Sequence, residues 1–447
     1  MPLYFSLAEL DTILKHNLLK TTGADLNVSV LGITTDTRII KPQELFVALV
    51  GENFDGHNFI EQAVDQGAIA LVINRQIESL AVPQFIVRDT LKAYQQIAQW
   101  WSDRFNIPVI GVTGSVGKTS TKELISAVLG TKGKVLKTEA NFNNEIGVPK
   151  TLLQITSEHS YAVIEMAMRG LGEIALLTDI ARPTIGVITN VGTAHIGRLG
   201  SREAIAQAKC ELLAQMPETS IAILNYDNPL LIETAQKVWQ GKTITYGLTG
   251  GDVHGTINGN NITVAEQDLP LPLPGEHNAS NYLAAIAIAQ VLKIDFAPLI
   301  AGLQVQLPQG RSRRYELPND VVVLDETYNA GLESMLAAVQ MLKATPGTRH
   351  IAVLGTMKEL GEHSPQLHRQ VGQKAQELNL DLLMVLADEA ATQEIIKGAT
   401  GIKTECFSDR ATLTSKLKQV ICPGDRILCK ASNSVGLNKV VEELIKI

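Results

Sequence analysis

The run GVTGSVGKTS at residues 111–120 constrains the fold of this chain more than any other feature. Backbone N–H groups converge on a phosphate chain only where glycines replace side chains whose Cβ would clash, and Gly114 and Gly117 occupy such places. Lys118 adds a positive charge, and Thr119 adds a hydroxyl that can bind Mg²⁺. A strand pattern precedes the loop and a helix pattern follows it, which disfavours a simple Gly-rich turn with an incidental lysine. We therefore predict a nucleotide phosphate site in this loop.

The rest of the chain alternates short apolar runs with helical patterns. With 447 residues, 45% of them apolar and 19% charged, the chain is too long for one hydrophobic core and too apolar to be disordered. Strands that alternate with helices form parallel sheets with right-handed crossovers, so we predict the α/β class. Three domains are expected: a small mixed α/β N-terminal domain over residues 1–88, a central P-loop ATPase domain with a parallel sheet over 89–308, and a Rossmann-like C-terminal domain over 309–447.

The apolar runs also give the predicted strands and one well-defined helix. Leucine, isoleucine and valine recur at helical spacing over residues 118–130. The predicted strands are 45–49, 68–73, 85–87, 108–112, 161–166, 184–190, 221–225, 321–326, 350–355, 381–387 and 426–430.

Charge and cysteine content exclude several classes of protein. The formal net charge of −7 and the pI of about 5.8 give no positive field that would attract nucleic acid or an anionic membrane. The four cysteines form no CxxC pair and no framework spacing, which favours a reducing cytoplasm. The N-terminus lacks the pattern of a signal peptide, and no stretch approaches the roughly 18 apolar residues of a membrane span. We expect a cytoplasmic monomer without nucleic-acid partners or a membrane span.

Three polar residues beyond the Gly-rich loop are further candidates for this site. Glu165 lies at the end of a strand, where ligands of open α/β sheets bind, and its carboxylate could share a Mg²⁺ ion with Thr119. His195 follows another strand, and Lys209 lies on the next helix. Taken alone, a glutamate at a strand end is solvated as often as it binds a ligand. A single histidine or a helical lysine is usually structural or faces solvent.

Seven segments occur in the order that they have in the Mur ligases of peptidoglycan synthesis, which the chain resembles over nearly its whole length. They are TGSVGKTS, NFNNEIGVPKTLL, VIEMAMRGLGEI, ITNVGTAHIGRLGS, AKCEL, PGEHNASNYLAA and LDETYNA. Three segments are similar to the members that add D-alanyl-D-alanine: TDTRIIKPQELFVALVGENFDGHNFIEQA, DETYNA followed by ESM, and LGTMKELGEHS. The resemblance implies a ligase that uses ATP to phosphorylate the terminal carboxylate of a UDP-N-acetylmuramoyl-tripeptide. The amine of D-alanyl-D-alanine would then attack the acyl phosphate.

The resemblance implies ATP and two Mg²⁺ ions as cofactors. By this resemblance Lys118 contacts the ATP phosphates, Thr119 and Glu165 hold one Mg²⁺, and His195 helps with the second. Lys209 matches a position that family members carbamylate, which turns an ammonium into a metal-binding anion. The remaining residues of the loop that would contact the nucleotide are Gly114, Ser115, Val116, Gly117 and Ser120.

More distant residues complete the implied site. Asn278 and Asn281 match residues near the adenine, with helix capping as the alternative for Asn278. Arg313 and Asp325 match residues that approach the phosphate and the ribose when the C-terminal domain closes. The residues implied to face the UDP-sugar, although DGH could equally be an ordinary turn, are Thr37, Arg38, Asp55, Gly56, His57 and Asn144.

Four places depart from the usual family pattern. Gly331 lies in YNAGLES where YNANPxS is common, Thr356 makes LGTM of the usual LGDM, and Ala140 stands where glycine is frequent. Asn433, in KASNSVGL, stands where KGSRGMGM would give arginine. The departures at Gly331 and Asn433 bear on the contacts of the incoming dipeptide and on dipeptide selectivity.

Other functions remain as alternatives. A ligase that adds a diamino acid to a UDP-sugar dipeptide typically has a DNPR motif, which this chain lacks. A folylpolyglutamate synthetase lacks the N-terminal UDP-binding segment. A P-loop nucleotide switch would hydrolyse ATP without a carboxylate substrate and would need no third domain.

Overall fold

The computed structural model describes residues 3–23 and 25–446. The first elements are β1 (Phe5–Ser6), α1 (Leu7–Leu14), β2 (Leu18–Thr22), β3 (Ser29–Val30), β4 (Gly32–Thr34), β5 (Glu44–Val47), β6 (Val50–Gly51), β7 (Phe54–Asp55), α2 (Ile60–Asp65), β8 (Ala70–Ile73) and β9 (Gln84–Val87). Five of the strands form a sheet with the order β2-β9-β8-β5-β4, in which β2 alone runs antiparallel to its neighbour. This mixed sheet has its own apolar core.

Helix α3 (Thr90–Ser102) connects this sheet to the next one. The Asp89 side chain caps the helix by accepting from the N–H of Lys92. Its apolar face, which includes Ala93 and Ile97, belongs to the N-terminal core. The indole Nε1 of Trp101 donates to the carbonyl of Ile155 at 2.9 Å, so the same helix is anchored to the following region.

The central elements surround the Gly-rich loop. They are β10 (Val109–Thr113), α4 (Lys118–Gly130), β11 (Lys134–Lys137), α5 (Gly147–Leu152), β12 (His159–Glu165), α6 (Glu173–Ala181), β13 (Ile185–Ile188), α7 (Ile196–Leu199), α8 (Arg202–Gln215), β14 (Ile221–Asn225), α9 (Pro229–Val238), β15 (Lys242–Gly247), β16 (Val253–Asn258), β17 (Asn261–Val264), β18 (Gln267–Pro270), α10 (Glu276–Val291) and α11 (Ala297–Ile300).

These strands form a nine-stranded sheet with the order β11-β12-β10-β13-β14-β15-β16-β17-β18. In this order the seven strands from β11 to β16 pair in parallel, in agreement with the predicted parallel sheet, although β11 and β15 were not among the predicted strands. Strands β16 to β18, which pair antiparallel with one another, were not predicted from the sequence either. Their short segments alternate Gly, Asn and charged residues with single apolar ones, so they lack the continuous apolar run of a buried parallel strand.

The C-terminal strands and helices form a separate α/β unit with its own six-stranded sheet. They are β19 (Arg313–Leu317), β20 (Val321–Asp325), α12 (Leu332–Ala344), β21 (Arg349–Gly355), α13 (Ser364–Glu377), β22 (Leu382–Leu386), α14 (Glu394–Gly398), β23 (Thr404–Phe407), α15 (Arg410–Val420), β24 (Asp425–Lys430) and α16 (Asn438–Leu444). The sheet has the order β19-β20-β24-β21-β22-β23, and all pairs but β19 with β20 are parallel. The predicted α/β class is confirmed, whereas the boundaries at 88 and 308 stay predictions.

The order of the central strands places the functional residues at one edge. Because β10 lies between β12 and β13, the Gly-rich loop that follows β10 adjoins the carboxyl ends of both neighbours. Glu165 ends β12, and Thr189 and Asn190 follow β13. This edge of an open α/β sheet is where ligands bind. Among the described residues, no helix is long and apolar enough to cross a membrane.

Candidate active site

The loop after β10 has the backbone geometry that its glycines allow. Gly114 and Gly117 have φ angles of 151° and 81°, which disfavour residues with a side chain. A Cβ at Gly114 would collide with Thr189, and one at Gly117 would lie 2.7 Å from Oδ1 of Asn281. Lys118 starts α4 and its Nζ donates to the carbonyl of Gly114 at 2.8 Å, so the ammonium lies against the loop.

Asn190 fixes this loop from the neighbouring strand end. Its backbone carbonyl accepts from the N–H of Ser115 at 3.1 Å, and its side-chain Oδ1 accepts from the N–H of Val116 at 3.0 Å. The hydroxyl of Ser115 in turn accepts from the N–H of Gly192 at 2.9 Å. The loop conformation is therefore held by contacts within the protein.

Thr119 and Glu165 form the oxygen pair that the sequence predicts. The Thr119 hydroxyl donates to Oε2 of the buried Glu165 at 2.9 Å, and the Asn143 side-chain amide donates to Oε1 at 2.8 Å. The described part of the chain contains no cluster of three His, Cys, Asp or Glu residues arranged as a metal site. A hydroxyl and one carboxylate nevertheless fit Mg²⁺, which usually takes one or two carboxylates together with substrate phosphates and water.

His195 lies at the rim of the same cleft. It has a left-handed φ of 66° and precedes α7. Its Nδ1 lies 2.6 Å from Oε2 of Glu359 in the C-terminal region, although the two atoms lack the alignment of a hydrogen bond. Burial lowers the pKa of His195, and the nearby Lys118 and Lys209 lower it further, against the opposing effect of Glu359. A neutral imidazole is the form that binds metals.

Lys209 lies on α8 with a side chain only 2% exposed. No hydrogen bond or ion pair within the described ranges involves its ammonium, whose nearest charges include Lys118. Burial lowers the pKa of Lys209 well below its usual value, and the positive charge of Lys118 acts in the same direction. An unpartnered buried lysine next to another cation is unfavourable as an ammonium and favourable as a neutral amine.

A cleft of about 460 Å³ joins Lys118, Thr119, Glu165 and His195 to the C-terminal region, whereas Lys209 is not among its lining residues. Several of its lining residues were not predicted as site residues, although all but Arg311 lie in segments singled out above, because the local pattern does not show which side chain faces a cleft. They are Asn143, His277, Arg311, Glu326, Tyr328, Glu333 and Lys430. The buried Lys430 donates to the carbonyl of Asn329 at 2.8 Å, which holds the DETYNA loop against the cleft.

Two predicted C-terminal residues lie outside the lining of this cleft, and their sequence neighbours line it instead. Arg313 begins β19 and is exposed, whereas the guanidinium of Arg311 stacks on Tyr328 with its Cζ 3.9 Å from the ring centre. Asp325 is buried and accepts from the hydroxyl of Thr327 at 2.6 Å. The residue next to it, Glu326, accepts from Ser312 and lines the cleft.

The two asparagines on α10 have different environments. Asn281 lines the cleft beside Gly117. Asn278 is buried and donates to the carbonyl of Pro274 at 2.7 Å, which ties the start of the helix to the preceding turn. The residue that caps α10 is Gly275, so Asn278 does not act as the N-cap.

The DGH segment forms a tightly bonded turn in the N-terminal region. Oδ1 of Asp55 accepts from the backbone N–H of His57 at 2.9 Å and lies 2.6 Å from Nδ1 of its ring. The other ring nitrogen accepts from the N–H of Asn74 at 3.1 Å. Gly56 is buried between them, where a Cβ would lie 2.8 Å from the carbonyl of Leu49. These contacts give the segment a structural role whether or not it faces a ligand.

The other residues implied for the UDP-sugar lie in separate turns. The guanidinium of Arg38 donates two hydrogen bonds to the carboxylate of Asp36, and the Arg38 side chain is 83% exposed. The Thr37 hydroxyl donates to the side chain of Gln62 at 3.1 Å. Oδ1 of Asn144 accepts from the N–H of Gly147 at 2.9 Å where α5 begins, as in a turn closed by an asparagine side chain.

The four departures from the family pattern have distinct surroundings. Ala140 has a left-handed φ of 46°, which explains the frequent glycine there. Thr356 is buried and hydrogen-bonds Thr392 at 2.5 Å. Gly331 precedes α12 and lines the cleft, whereas Asn433 is exposed in a short 3₁₀ helix, Asn433–Val435.

Comparison with known proteins matches all three parts of the chain. Family models described as "Mur ligase family, catalytic domain", "Mur ligase middle domain" and "Mur ligase, glutamate ligase domain" match residues 29–99, 112–289 and 310–433. A UDP-N-acetylmuramoyl-tripeptide--D-alanyl-D-alanine ligase of Synechocystis sp. is 60% identical over 98% of this chain and 97% of its own length.

Solved structures agree with the sequence comparison. MurF from Acinetobacter baumannii superimposes with a TM-score of 0.91 at 30% identity, covering 100% of both chains. MurF ligase from Thermotoga maritima, solved in complex with ADP, gives a TM-score of 0.83 at 30% identity over 93% of this chain and 97% of that one. Both the full-length relative and the three matching models lead to the same conclusion: the chain belongs to the Mur ligase family.

Proposed function

We propose that the chain joins D-alanyl-D-alanine to a UDP-N-acetylmuramoyl-tripeptide at the expense of ATP. The observation that carries the proposal is one cleft in which Lys118, Thr119 and Glu165 face Arg311 and Lys430 from the C-terminal region. The printed activity of the Synechocystis relative and the ADP complex of the Thermotoga maritima structure support this substrate set. Because ATP and nucleotide-linked sugars are cytoplasmic metabolites, we expect a cytoplasmic enzyme. One chain supplies both walls of the cleft, so we also expect an active monomer.

The reaction follows from the weakness of a carboxylate as an electrophile. A carboxylate oxygen of the tripeptide attacks the γ-phosphorus of ATP, the bond to the bridging oxygen breaks, and ADP leaves with that electron pair. The dipeptide amine attacks the resulting acyl carbon and loses a proton, and inorganic phosphate leaves. Phosphoryl transfer needs mainly positioning and charge stabilisation, which the Gly-rich loop, Lys118 and Arg311 would provide.

The residues present fit the two Mg²⁺ ions of the proposal. Thr119 and Glu165 offer the oxygen donors for one ion, and His195 with a carbamylated Lys209 would hold the second. The unpartnered, buried Lys209 supports carbamylation, because reaction with CO₂ requires a neutral amine. When bound, the ions would neutralise the charge that develops on the transferred phosphoryl group.

The N-terminal residues would hold the UDP-sugar, as a second part of the proposal. Arg38 is the exposed cation of this group and can turn from Asp36 towards a diphosphate. Thr37, Gly56 and Asn144 lie in separate turns and would contribute further contacts, and the hydrogen bonds of Asp55 and His57 would keep the shape of the binding surface. The incoming dipeptide would lie near Gly331, and Asn433 would influence its selectivity.

A phosphate-release assay tests the proposed function. We expect ATP cleavage to require both the UDP-muramoyl-tripeptide and D-alanyl-D-alanine, with formation of the ligated pentapeptide confirmed by mass spectrometry. Phosphate release with ATP alone would instead support a nucleotide switch. Release that depends on a UDP-muramoyl-dipeptide and a diamino acid would support the alternative ligase.

The position of Arg311 gives a second prediction. We expect Arg311→Ala to lower kcat about 10- to 100-fold. The loss is incomplete because Lys118 still stabilises the charge of the transferred phosphoryl group. Arg313→Ala, on the exposed strand nearby, is the matched control and should change kcat by about twofold or less. The measurement is steady-state ligation by both variants. A larger loss in Arg313→Ala than in Arg311→Ala would restore the original assignment of this role to Arg313.

A further inference from the structure

Lys122 is a buried cation that the proposed reaction does not use. It lies on α4 one turn after Lys118, and its side chain is 1% exposed. Its Nζ donates to the carbonyl of Thr138 at 2.6 Å and lies 3.0 Å from Oε1 of Glu123. Burying a charge is unfavourable unless it is paired and hydrogen-bonded, so both contacts are needed to keep the ammonium in this place.

The contact with Thr138 leads directly to Glu165. The Thr138 hydroxyl oxygen accepts from the backbone N–H of Glu165 at 2.9 Å, and Thr138 is completely buried. Thr138 also begins the loop that carries Asn143, whose amide donates to the Glu165 carboxylate at 2.8 Å. Lys122 therefore holds Thr138, which binds the backbone of Glu165 and begins the loop whose Asn143 binds the Glu165 carboxylate.

Thr119 lies on the same helix, three residues before Lys122, and donates to the other oxygen of Glu165. Residues three apart share one face of a helix. The three contacts close a ring: from Thr119 along α4 to Lys122, across to Thr138, and back through Glu165. Lys122 thus links the helix that carries Thr119 to the strand end that carries Glu165.

We infer that Lys122 is a positioning residue for Mg²⁺: it holds Thr119 and Glu165 in the relative placement that one ion requires. The inference rests on the proposed function, because it takes these two residues as the Mg²⁺ donors. Residues behind metal ligands orient the ligands and thereby raise metal affinity.

A purely structural role is the competing explanation, and the chain contains a matched control for it. Glu123 also pairs with Lys137, whose side chain is 43% exposed. The ammonium of Lys137 makes no hydrogen bond to Thr138 in the part of the chain that the structure describes. Lys137→Met therefore removes a partner of Glu123 without breaking the link to Glu165.

The experiment compares Lys122→Met, Lys122→Arg and Lys137→Met with the wild type. Calorimetry of ADP binding across a series of Mg²⁺ concentrations gives metal affinity without turnover, and ligation rates give the apparent Mg²⁺ constant. For Lys122→Met we expect Mg²⁺ affinity to fall about 10- to 100-fold, with metal-free ADP binding unchanged. Lys122→Arg, which keeps a cationic donor, should restore most of the affinity, and Lys137→Met should lie within about twofold of wild type.

Circular dichroism establishes that each variant is folded, and Lys122→Gln replaces the methionine variant if that one does not fold. Unchanged Mg²⁺ affinity in a folded Lys122 variant without a cation would overturn the inference. Equal losses of Mg²⁺ affinity in Lys122→Met and Lys137→Met would also overturn it, because both lysines pair with Glu123 and the loss would then come from that residue. If instead ADP binding to the wild type does not respond to Mg²⁺, the proposed function fails rather than the role of Lys122 within it.

Discussion

Lys118→Ala is expected to fold normally and to lose about two to three orders of magnitude in ligation rate, the usual cost of removing a pre-organised charge-stabilising donor. The variant loses the hydrogen bond from Lys118 to the carbonyl of Gly114, but the contacts of Asn190 with the loop remain and should keep its conformation. The ammonium supplies a charge close to Glu165 and Arg311, where a phosphoryl group would pass between the two walls of the cleft.

Phosphate release and product mass measure the loss, and circular dichroism verifies the fold. Lys132→Ala serves as the control, because Lys132 is an exposed lysine near the far end of α4 that donates to the carbonyl of Lys293. Near-normal ligation by a folded Lys118→Ala protein would refute the assignment of the nucleotide site. Equal losses in both variants would show that the effect is not specific to the loop.

The arrangement of the Gly-rich loop could be predicted from the sequence because its residues are close together in the chain. Gly114, Gly117, Lys118 and Thr119 lie within six residues, so their spacing alone fixes their relative places once a strand precedes them and a helix follows. Glu165 could be added because ligands of an open α/β sheet bind at the carboxyl ends of its strands. The order of the strands, which makes β10 and β12 neighbours, came only from the structure.

The C-terminal wall of the cleft was harder to predict. The segment GRSRRYE contains three arginines, and nothing in its local pattern shows which one lines the cleft. The choice depends on where β19 begins, because both arginines of this strand, Arg313 and Arg314, are exposed. The strand starts at Arg313, which leaves Arg311 in the preceding turn where its guanidinium reaches the cleft.

Contacts between segments that are far apart in the chain could not be predicted from the sequence either, because no local pattern relates their residues. Glu333 accepts from the N–H of Thr193 at 2.8 Å, and Glu359 lies beside His195, although about 140 residues or more separate each pair. No periodicity or motif encodes such a pairing, since it arises from how two sheets are placed against each other. The buried Lys430 belongs to the same group, because burial of a lysine is exceptional and cannot be read from composition.

Lys209→Ala is expected to lower the ligation rate by about two orders of magnitude or more, because a carbamate at this position would supply oxygen ligands to a metal that neighbouring groups cannot replace. Short carboxylic acids such as acetate or formate should restore part of the rate. The alanine variant leaves space beside a cationic site, and a small carboxylate carries the same two oxygens as the carbamate. The measurement is the ligation rate of Lys209→Ala at increasing concentrations of added acid.

Two comparisons separate this effect from a general loss of structure. The same acids should not rescue Lys118→Ala, because an anion cannot substitute for the ammonium lost there. Removal of dissolved CO₂ should lower the activity of the wild type and leave Lys209→Ala unchanged, since only the wild type has an amine to modify. The burial of Lys209 and its lack of any hydrogen bond or ion pair among the described residues leave an unmodified ammonium without a compensating partner beside Lys118. Full activity of Lys209→Ala without added acid would therefore show that ligation needs no carbamate and that the lysine is neutral and structural.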